Sequence, residues 1–131
     1  MSVLSHITLG TNDKARAAQF YDAVLATIGF KRLPKASEKP LAYDKGGALP
    51  TIYIYTPEDG QPATQGNGTH IAFLAETRAQ VHNFHQQALR WGGKNEGEPG
   101  FRVHYGPNYY AAYVRDPEGN KLQAVCYSET E

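Results

Sequence analysis

The chain has 131 residues, of which 40% are hydrophobic and 20% charged, and its 13 basic side chains balance its 13 acidic ones. This length suits one domain with a real core, whereas two independent domains of half that length would each be marginal. A net charge near zero argues against nucleic acid or an anionic membrane as the main partner. We find neither a membrane span nor a signal peptide, and the lone Cys126 fits a reducing compartment, so we expect a cytoplasmic protein.

The first half of the chain is predicted to form a strand, a helix and about three further strands. In "SHITL", His6 and Ile7 point to opposite faces, so a helix covering the isoleucine face leaves the histidine face open. Apolar residues then recur at helical spacing, with Asn12 or Asp13 as the cap and Gly29 as the stop. The segments "LAYDKGG" and "PTIYIYT" are predicted to pair as strands.

The second half repeats this order after the polar connector "PEDGQPATQGNG", which suits an exposed segment. In "THIAF", His70 and Ile71 take opposite faces of a strand. A helix follows, with Thr77 as its cap and a Gly-Gly pair as its stop. The segments "FRVHYGP" and "NYYAAYVRD" are predicted to pair, and "DPEGN" is a strong turn leading into the last strand, "KLQAVCY".

The two halves are copies of one pattern. A shift of 64 positions places His6 on His70 and Phe20 on Phe84 without a gap. Two copies are too few for a solenoid. We therefore predict a single domain over residues 1–131, with modules at about 1–60 and 66–131 whose sheets lie side by side around a shared cavity.

Other polar side chains offer weaker signals. His82 and His85 lie on neighbouring faces of the second helix, but His85 falls in its apolar stripe, so packing or surface roles are expected rather than zinc binding. Arg102 and His104 alternate in phase, so both face the cavity as cations for an anionic group or both face solvent.

Tyrosine is frequent in this chain, at nine residues. Such side chains can line a pocket for a flat or amphipathic molecule while offering hydrogen bonds. They can also pack as pairs across strands, and we expect this for most of them. The tyrosines in question are Tyr43, Tyr53, Tyr55, Tyr105, Tyr109, Tyr110 and Tyr113.

Three segments, "SHITL", "THIAF" and the closing "YYAAYVRDPEGNKLQAV", resemble the vicinal oxygen chelate superfamily, which includes glyoxalase, extradiol dioxygenases and the bleomycin- and fosfomycin-resistance proteins. The most specific piece is the D-P-x-G-N turn before the last strand. The resemblance covers nearly the whole chain. It implies an α+β fold of two tandem βαβββ modules that form a half-open mixed-sheet barrel around a cavity, usually in a dimer. In many members a divalent metal lies on the inner wall.

The resemblance places the metal ligands on His6, His70, Gln123 and Tyr53, with Tyr55 as the in-phase alternative to Tyr53. The chain thus keeps both histidines and lacks both carboxylates. A glutamine amide coordinates metal without adding negative charge, so one divalent ion (Ni, Zn, Co, Mn or Fe) is expected to bind weakly, or none at all. The other interpretation is that both histidines are hydrogen-bonded wall residues. Without carboxylates, dioxygenase and lactoylglutathione lyase activities are disfavoured.

Two hypotheses for function follow. The first is a glyoxalase-like lyase or isomerase that acts on a small carbonyl or hydroxy compound with a weakly bound divalent metal. The second is a metal-free small-molecule-binding protein of the bleomycin-resistance type. A pocket repurposed for regulation or assembly is a weaker third. We expect a small-molecule ligand, a homodimer, and neither nucleic acid nor membrane as partner. The predicted substrate-binding residues are Arg102, His104, Tyr55 and Tyr110.

Overall fold

The computed structural model describes residues 2–34 and 40–129. Within these residues the chain forms a strand, a helix and three strands, and then repeats that order. The first module consists of β1 (His6–Gly10), α1 (Lys14–Ala26), β2 (Lys31–Arg32), β3 (Leu41–Lys45) and β4 (Ala48–Tyr55). The second consists of β5 (His70–Leu74), α2 (Arg78–Arg90), β6 (Lys94–Phe101), β7 (Tyr110–Arg115) and β8 (Lys121–Cys126), with a 3-10 turn at Val103–Tyr105.

Each module contains one four-stranded mixed sheet. The strand orders are β1-β4-β3-β2 and β5-β8-β7-β6, so the two sheets share one topology. The first strand of each module runs parallel to the last, and the other neighbours are antiparallel. The predicted α+β fold of two βαβββ modules is therefore confirmed. Across the described residues the two sheets remain open and do not close into a barrel.

The helices begin where side-chain caps satisfy their first backbone N–H groups. Asp13 Oδ1 accepts a hydrogen bond from the backbone N of Arg16 at 3.0 Å, and Thr77 Oγ1 accepts one from Gln80 at 3.1 Å. These contacts confirm the predicted caps. Neither helix is long and apolar enough to cross a membrane, within the part of the chain that the structure describes.

The two modules share one apolar core. The main contact between them is α1 against α2, and Phe30 of the first module lies 6.1 Å from Phe73 of the second, between ring centroids. Each sheet turns one face to this core. On β1 and β5 the buried residues are Leu9 and Phe73, whereas His6 and His70 are exposed on the other face. The predicted alternation is confirmed, and we call the histidine side of each sheet its open face.

The predicted strand "FRVHYGP" is wrong. Of this segment, only Phe101 belongs to a strand, as the last residue of β6 (Lys94–Phe101). The 3-10 turn at Val103–Tyr105 follows it. That segment, "KNEGEPGF", has almost no apolar or β-branched residues, so nothing in its own composition favours a strand. It becomes the edge strand because β7 offers it backbone partners, and its irregular register at Gly97 and Gly100 accommodates the proline between them.

The "DPEGN" turn holds the modules together. Asp116 Oδ1 accepts from the backbone N of Glu118 at 2.9 Å and of Asn120 at 2.8 Å. Its other oxygen accepts from the buried Tyr21 hydroxyl on α1. The Asn120 amide also donates to the Gly10 carbonyl of β1 at 3.1 Å. The turn thus fixes its own shape and fastens the second module to the first.

Candidate functional site

His6 and Tyr53 lie together on the open face of the first sheet. Thr8 of β1 stands opposite Tyr53 of β4, which brings Tyr53 beside His6 with their ring centroids 5.5 Å apart. Tyr55 follows Tyr53 on the same face at 6.0 Å. The exposed His6 makes a 2.9 Å contact between its Nδ1 and the Ser5 hydroxyl. These residues form an aromatic surface rather than a closed pocket.

His70 and Gln123 form the matching pair on the second sheet. The parallel register sets Ala72 opposite Gln123, two residue pairs beyond His70 and Lys121 and therefore on the same face. His70 Nε2 lies 3.2 Å from Gln123 Oε1, and Gln123 Nε2 donates to the Tyr109 hydroxyl at 2.6 Å. Gln123 is only 1% exposed although it belongs to an open face. The phenols beside it therefore cover the amide, and its hydrogen bonds hold it in one orientation.

Tyr113 stands at the centre of this face. It lies opposite Gln123 on β7, and its ring centroid is 6.3 Å from that of His70. Burial raises the pKa of Tyr113 to about 12, and its hydrogen bond with Tyr109 acts in the same direction, outweighing the opposite effect of Arg102. At neutral pH Tyr113 is therefore a neutral phenol.

Two cations flank the Tyr113 ring. The Arg102 guanidinium carbon and the Lys121 Nζ each lie 5.4 Å from the ring centroid. Arg102 is fixed there because its guanidinium donates to the carbonyls of Gly100 and Glu98, both at 2.8 Å. The open face of the second sheet thus combines aromatic surface, neutral hydrogen-bonding groups and positive charge.

Tyr55 on the first open face and His70 on the second line different cavities. Tyr55 lines a cavity of about 370 Å³ together with Thr8 and Glu58. His70 lines another, of about 270 Å³, together with Arg115 and Lys121. Over residues 2–34 and 40–129, we find no hydrogen bond, ring contact or cavity that joins His6 to His70. Among the described residues, Tyr55 and His70 thus line separate cavities.

A comparison with models of protein families identifies the family of this chain. The family model described as the Glyoxalase/Bleomycin resistance protein/Dioxygenase superfamily matches residues 3–124. The chain belongs to this superfamily. A glyoxalase/bleomycin resistance protein from Albidiferax ferrireducens T118 is 38% identical with a TM-score of 0.84, over 95% of this chain and 98% of that one. Among proteins of curated function, none matches.

More distant superfamily members show the fold alone. One is a glyoxalase/bleomycin resistance protein/dioxygenase family enzyme from Burkholderia phytofirmans PsJN, at 21% identity and a TM-score of 0.74, covering 97% of this chain and 100% of that chain. Another is a lactoylglutathione lyase from Agrobacterium tumefaciens, at 20% identity and 0.65, covering 96% and 94% respectively. At such identities the residues of the site, and not the likeness, must decide the chemistry.

The residues of this superfamily chain do not fit a divalent metal. Among the described residues there is no group of three histidine, cysteine or acidic side chains that could hold one. The donors that replace them are neutral, and Lys121 and Arg102 add positive charge beside His70 and Gln123. Whichever way the Gln123 amide is oriented, one of its polar atoms faces the His70 Nε2 that a metal would need.

The predicted substrate-binding residues do not form one group. Arg102 and Tyr55 lie on the open faces of different sheets. Tyr110 lies on the face covered by α2, where its hydroxyl is 2.6 Å from His82 Nε2. His104 is exposed, and its ring centroid lies 4.1 Å from that of Tyr105, with the two rings tilted by 42°. The predicted shared phase of Arg102 and His104 is wrong, because the segment turns into a 3-10 helix instead of continuing as a strand.

His85 of α2 and Cys126 of β8 have structural roles. His85 is 5% exposed, and its Nε2 lies 2.9 Å from Asn95 Oδ1. Cys126 is buried in the shared core, on the face opposite Gln123. The predicted packing role for His85 is confirmed.

Lys121 and Tyr109, like Tyr113, were not among the site residues predicted from the sequence. Lys121 lies two positions before Gln123, so strand alternation alone would have placed it on the same face. Tyr109 precedes β7 in an irregular segment, which carries no periodicity from which its side chain could be placed. Its contact with Gln123 depends on how the chain returns from the 3-10 turn, where the backbone N of Arg102 donates to the Tyr109 carbonyl at 2.8 Å.

Proposed function

We propose that this chain is a metal-independent small-molecule-binding protein of its superfamily. The proposed ligand is planar and lies on the open face of the second sheet, over Tyr113. The observation that supports this most is the fixed chain of contacts His70–Gln123–Tyr109 beside a neutral Tyr113, flanked by Arg102 and Lys121. A platform already held by hydrogen bonds loses little conformational freedom when a ligand binds.

The chemistry of this face favours recognition over proton transfer. Tyr113 is a neutral phenol, so it offers a ring to stack on and a hydroxyl to hydrogen-bond. The Gln123 amide has no accessible pKa and orients its neighbours instead of moving protons. The two cations add attraction for an electron-rich or anionic ring.

We further propose that the protein acts as a homodimer in which a partner covers this face. Both open faces carry exposed apolar side chains, Leu4 and Leu49 around the first and Leu74 and Tyr127 around the second. In a two-fold dimer, the first sheet of each subunit can cover the second sheet of the other subunit. This arrangement buries both open faces and makes two equal cavities. His6 of the partner subunit would then approach His70, which would complete a cavity that one chain leaves open.

The competing proposal is a glyoxalase-like lyase or isomerase with a weakly bound metal. It is favoured by one distance, since His70 Nε2 and Gln123 Oε1 at 3.2 Å are about as far apart as two neighbouring ligands of one ion. It requires the metal to displace the contact between these atoms without a carboxylate to compensate its charge. We therefore treat it as an outcome to be tested.

The test is a titration of the isotope-labelled protein with neutral planar probes (benzamide, phenol and indole), followed by amide NMR shifts with and without EDTA. We expect saturable shifts centred on Tyr113 that the chelator leaves unchanged. Tyr113→Ala should weaken binding by about three- to tenfold, in line with the loss of one aromatic pair. Phe101→Ala is the matched control, because Phe101 is an exposed ring at the edge of the opposite face.

Two results would overturn the proposal. One is that no probe shifts residues of this face. The other is that binding appears only after nickel, zinc, cobalt, manganese or iron is added and disappears in His70→Ala, which would support the metal-dependent lyase instead.

A further inference from the structure

We infer that the cavity beside His70 holds an anionic group, a carboxylate or a phosphate, of the molecule that lies over Tyr113. This inference rests on the proposed function and adds the chemical class of the ligand. The cavity has a volume of about 270 Å³, and we call it the anion cavity. It is lined by Gln65, Asn67, Gly68, Thr69, His70, Arg115 and Lys121.

Charge is the first argument. The lining contains Arg115 and Lys121, and none of the described residues that line it is acidic. Arg115 is partly compensated, since its Nη1 donates to the Gly119 carbonyl at 2.9 Å and its Nε lies 3.3 Å from Glu96. Lys121 is therefore the main attraction for an anion, with Arg115 as a fixed second charge.

Neighbouring cavities have a different character. The one beside Tyr55 includes Glu58 in its lining. The one on the other side of Arg115 includes Glu96, Asp116 and Glu118. Of these three cavities, only the anion cavity is lined by basic side chains without a carboxylate among the described residues.

The position of Lys121 links the anion cavity to the aromatic face. It stands opposite His70 in the parallel register of β5 and β8, and its Nζ lies 5.4 Å from the Tyr113 ring centroid. An anion paired with Lys121 would therefore bring the body of its molecule over Tyr113. One side chain can recognise both the charge and the ring to which the charge is attached.

Neutral donors and space complete the anion cavity. Its lining includes Asn67, Gly68 and Thr69, and in the turn that carries them Gly66 and Gly68 have φ of +70° and +94°. Glycine allows these left-handed positions, so the backbone can curve around the cavity. A water molecule takes about 30 Å³, so the volume suffices for a carboxylate or a phosphate together with bound water.

The test is an NMR titration of the full chain with inorganic phosphate and, separately, with acetate, at constant ionic strength set by chloride. We expect saturable shifts at the amides of residues 67–70, with one anion binding more tightly than the other and so identifying the preferred group. Lys121→Gln should weaken binding about tenfold, as expected for the loss of a charged hydrogen-bonding partner. Lys94→Gln is the matched control, because Lys94 is exposed and lines the acidic neighbouring cavity.

A second pair of probes ties the anion to the ring. Benzoate and benzamide have nearly the same shape and differ in charge. The wild type should therefore bind benzoate at least about fivefold more tightly than benzamide, whereas Lys121→Gln should bind the two equally. Thr69→Val serves as an independent variant of the anion cavity, and we expect it to weaken phosphate binding about threefold. Thermal unfolding of each variant verifies that it is folded.

The outcomes separate the two ideas. If neither anion gives saturable shifts at residues 67–70, or if Lys121→Gln and Lys94→Gln weaken binding equally, the anion cavity is refuted, whatever benzamide does. If phosphate binds as expected but none of the neutral planar probes binds over Tyr113, the proposed function fails. The inference then fails as stated, because its anion would have no ring-bearing molecule to belong to.

Discussion

The Tyr21 hydroxyl on α1 donates a hydrogen bond to the Asp116 carboxylate in the turn before β8, and this buried contact joins the two modules. Both residues are almost fully buried, at 1% and 4% exposure. The same carboxylate also accepts from two backbone N–H groups of its own turn. The "DPEGN" segment is therefore a fastening between halves of the chain as well as a turn.

Asp116→Ala is expected to lower the free energy of unfolding by about 3 kcal/mol or more, because it leaves several buried donors without an acceptor. Tyr21→Phe should cost less, about 1–2 kcal/mol, because only one bond of the carboxylate is lost. Urea denaturation followed by circular dichroism measures both. Asp59→Ala, at an exposed site, is the control and should stay within about 0.5 kcal/mol. Equal midpoints for Asp116→Ala and wild type would contradict the fastening role.

Alkaline pH should destabilise the fold through buried phenols. Burial and the nearby carboxylates of Asp116 and Asp22 raise the pKa of Tyr21 and Tyr43 well above the usual value of about 10. Above that pH the unfolded chain loses these protons while the folded chain keeps them. The free energy of unfolding therefore falls by about 1.4 kcal/mol per pH unit for each such tyrosine.

Urea unfolding at a series of pH values above 10 measures this slope. Tyr43→Phe should reduce this slope by the contribution of one tyrosine, about 1.4 kcal/mol per pH unit. It should change the free energy of unfolding at neutral pH only modestly. The ultraviolet absorbance of tyrosinate provides an independent check. Titration of all nine tyrosines in one step near pH 10, with the protein still folded, would rule the effect out.

A single substitution should create the negative charge that a metal site lacks. Gln123→Glu would place a carboxylate between His70 and Tyr109. We expect nickel or zinc, at about a hundredfold above its Kd, to raise the free energy of unfolding of this variant by about 2–3 kcal/mol and to leave the wild type unchanged. Gln86→Glu on the exposed side of α2 is the control. Stoichiometric metal in the purified wild type would point to the lyase instead.

The absence of a side chain at Gly97 leaves room for the ring that the ligand is proposed to contact. A Cβ there would lie 3.0 Å from Tyr113 Cδ1 and 3.1 Å from the Arg102 Nη2. Gly97→Ala should therefore displace both groups and weaken benzamide binding about threefold, with little change in unfolding. Gly100→Ala is the comparison, since its Cβ would lie at ordinary contact distances, 3.4 Å from Arg102 Nη1 and 4.0 Å from the Glu98 carbonyl oxygen. Unchanged affinity in Gly97→Ala would show that the position of Tyr113 is unimportant.

The proposed dimer predicts a difference between two exposed leucines. Leu74 lies on the open face of the second sheet, 65% exposed, and Leu89 lies on α2, 42% exposed. Leu74→Glu should shift sedimentation from dimer to monomer, because it buries a charge in the apolar contact. Leu89→Glu should leave the dimer intact. A wild-type monomer at all concentrations would refute the dimer, and the ligand face would then be open to solvent.

The sequence predicted best what local periodicity controls. The alternation around His6 and His70 and the caps at Asp13 and Thr77 depend on neighbouring residues only, and all are confirmed. The strand Lys94–Phe101 escaped prediction because its partner β7, and not its composition, makes it a strand. The pairing of His70 with Gln123 followed from the resemblance, but the separation of His6 from His70 could not, since it depends on how one module docks on the other.

Within the described residues the two modules share one core, whereas Tyr55 and His70 on their open faces line separate cavities. A change at Tyr53 leaves the packing around Phe30 and Phe73 untouched, and so does a change at Lys121. The two modules therefore present different surfaces on one shared core, aromatic around Tyr53 and positively charged around Lys121.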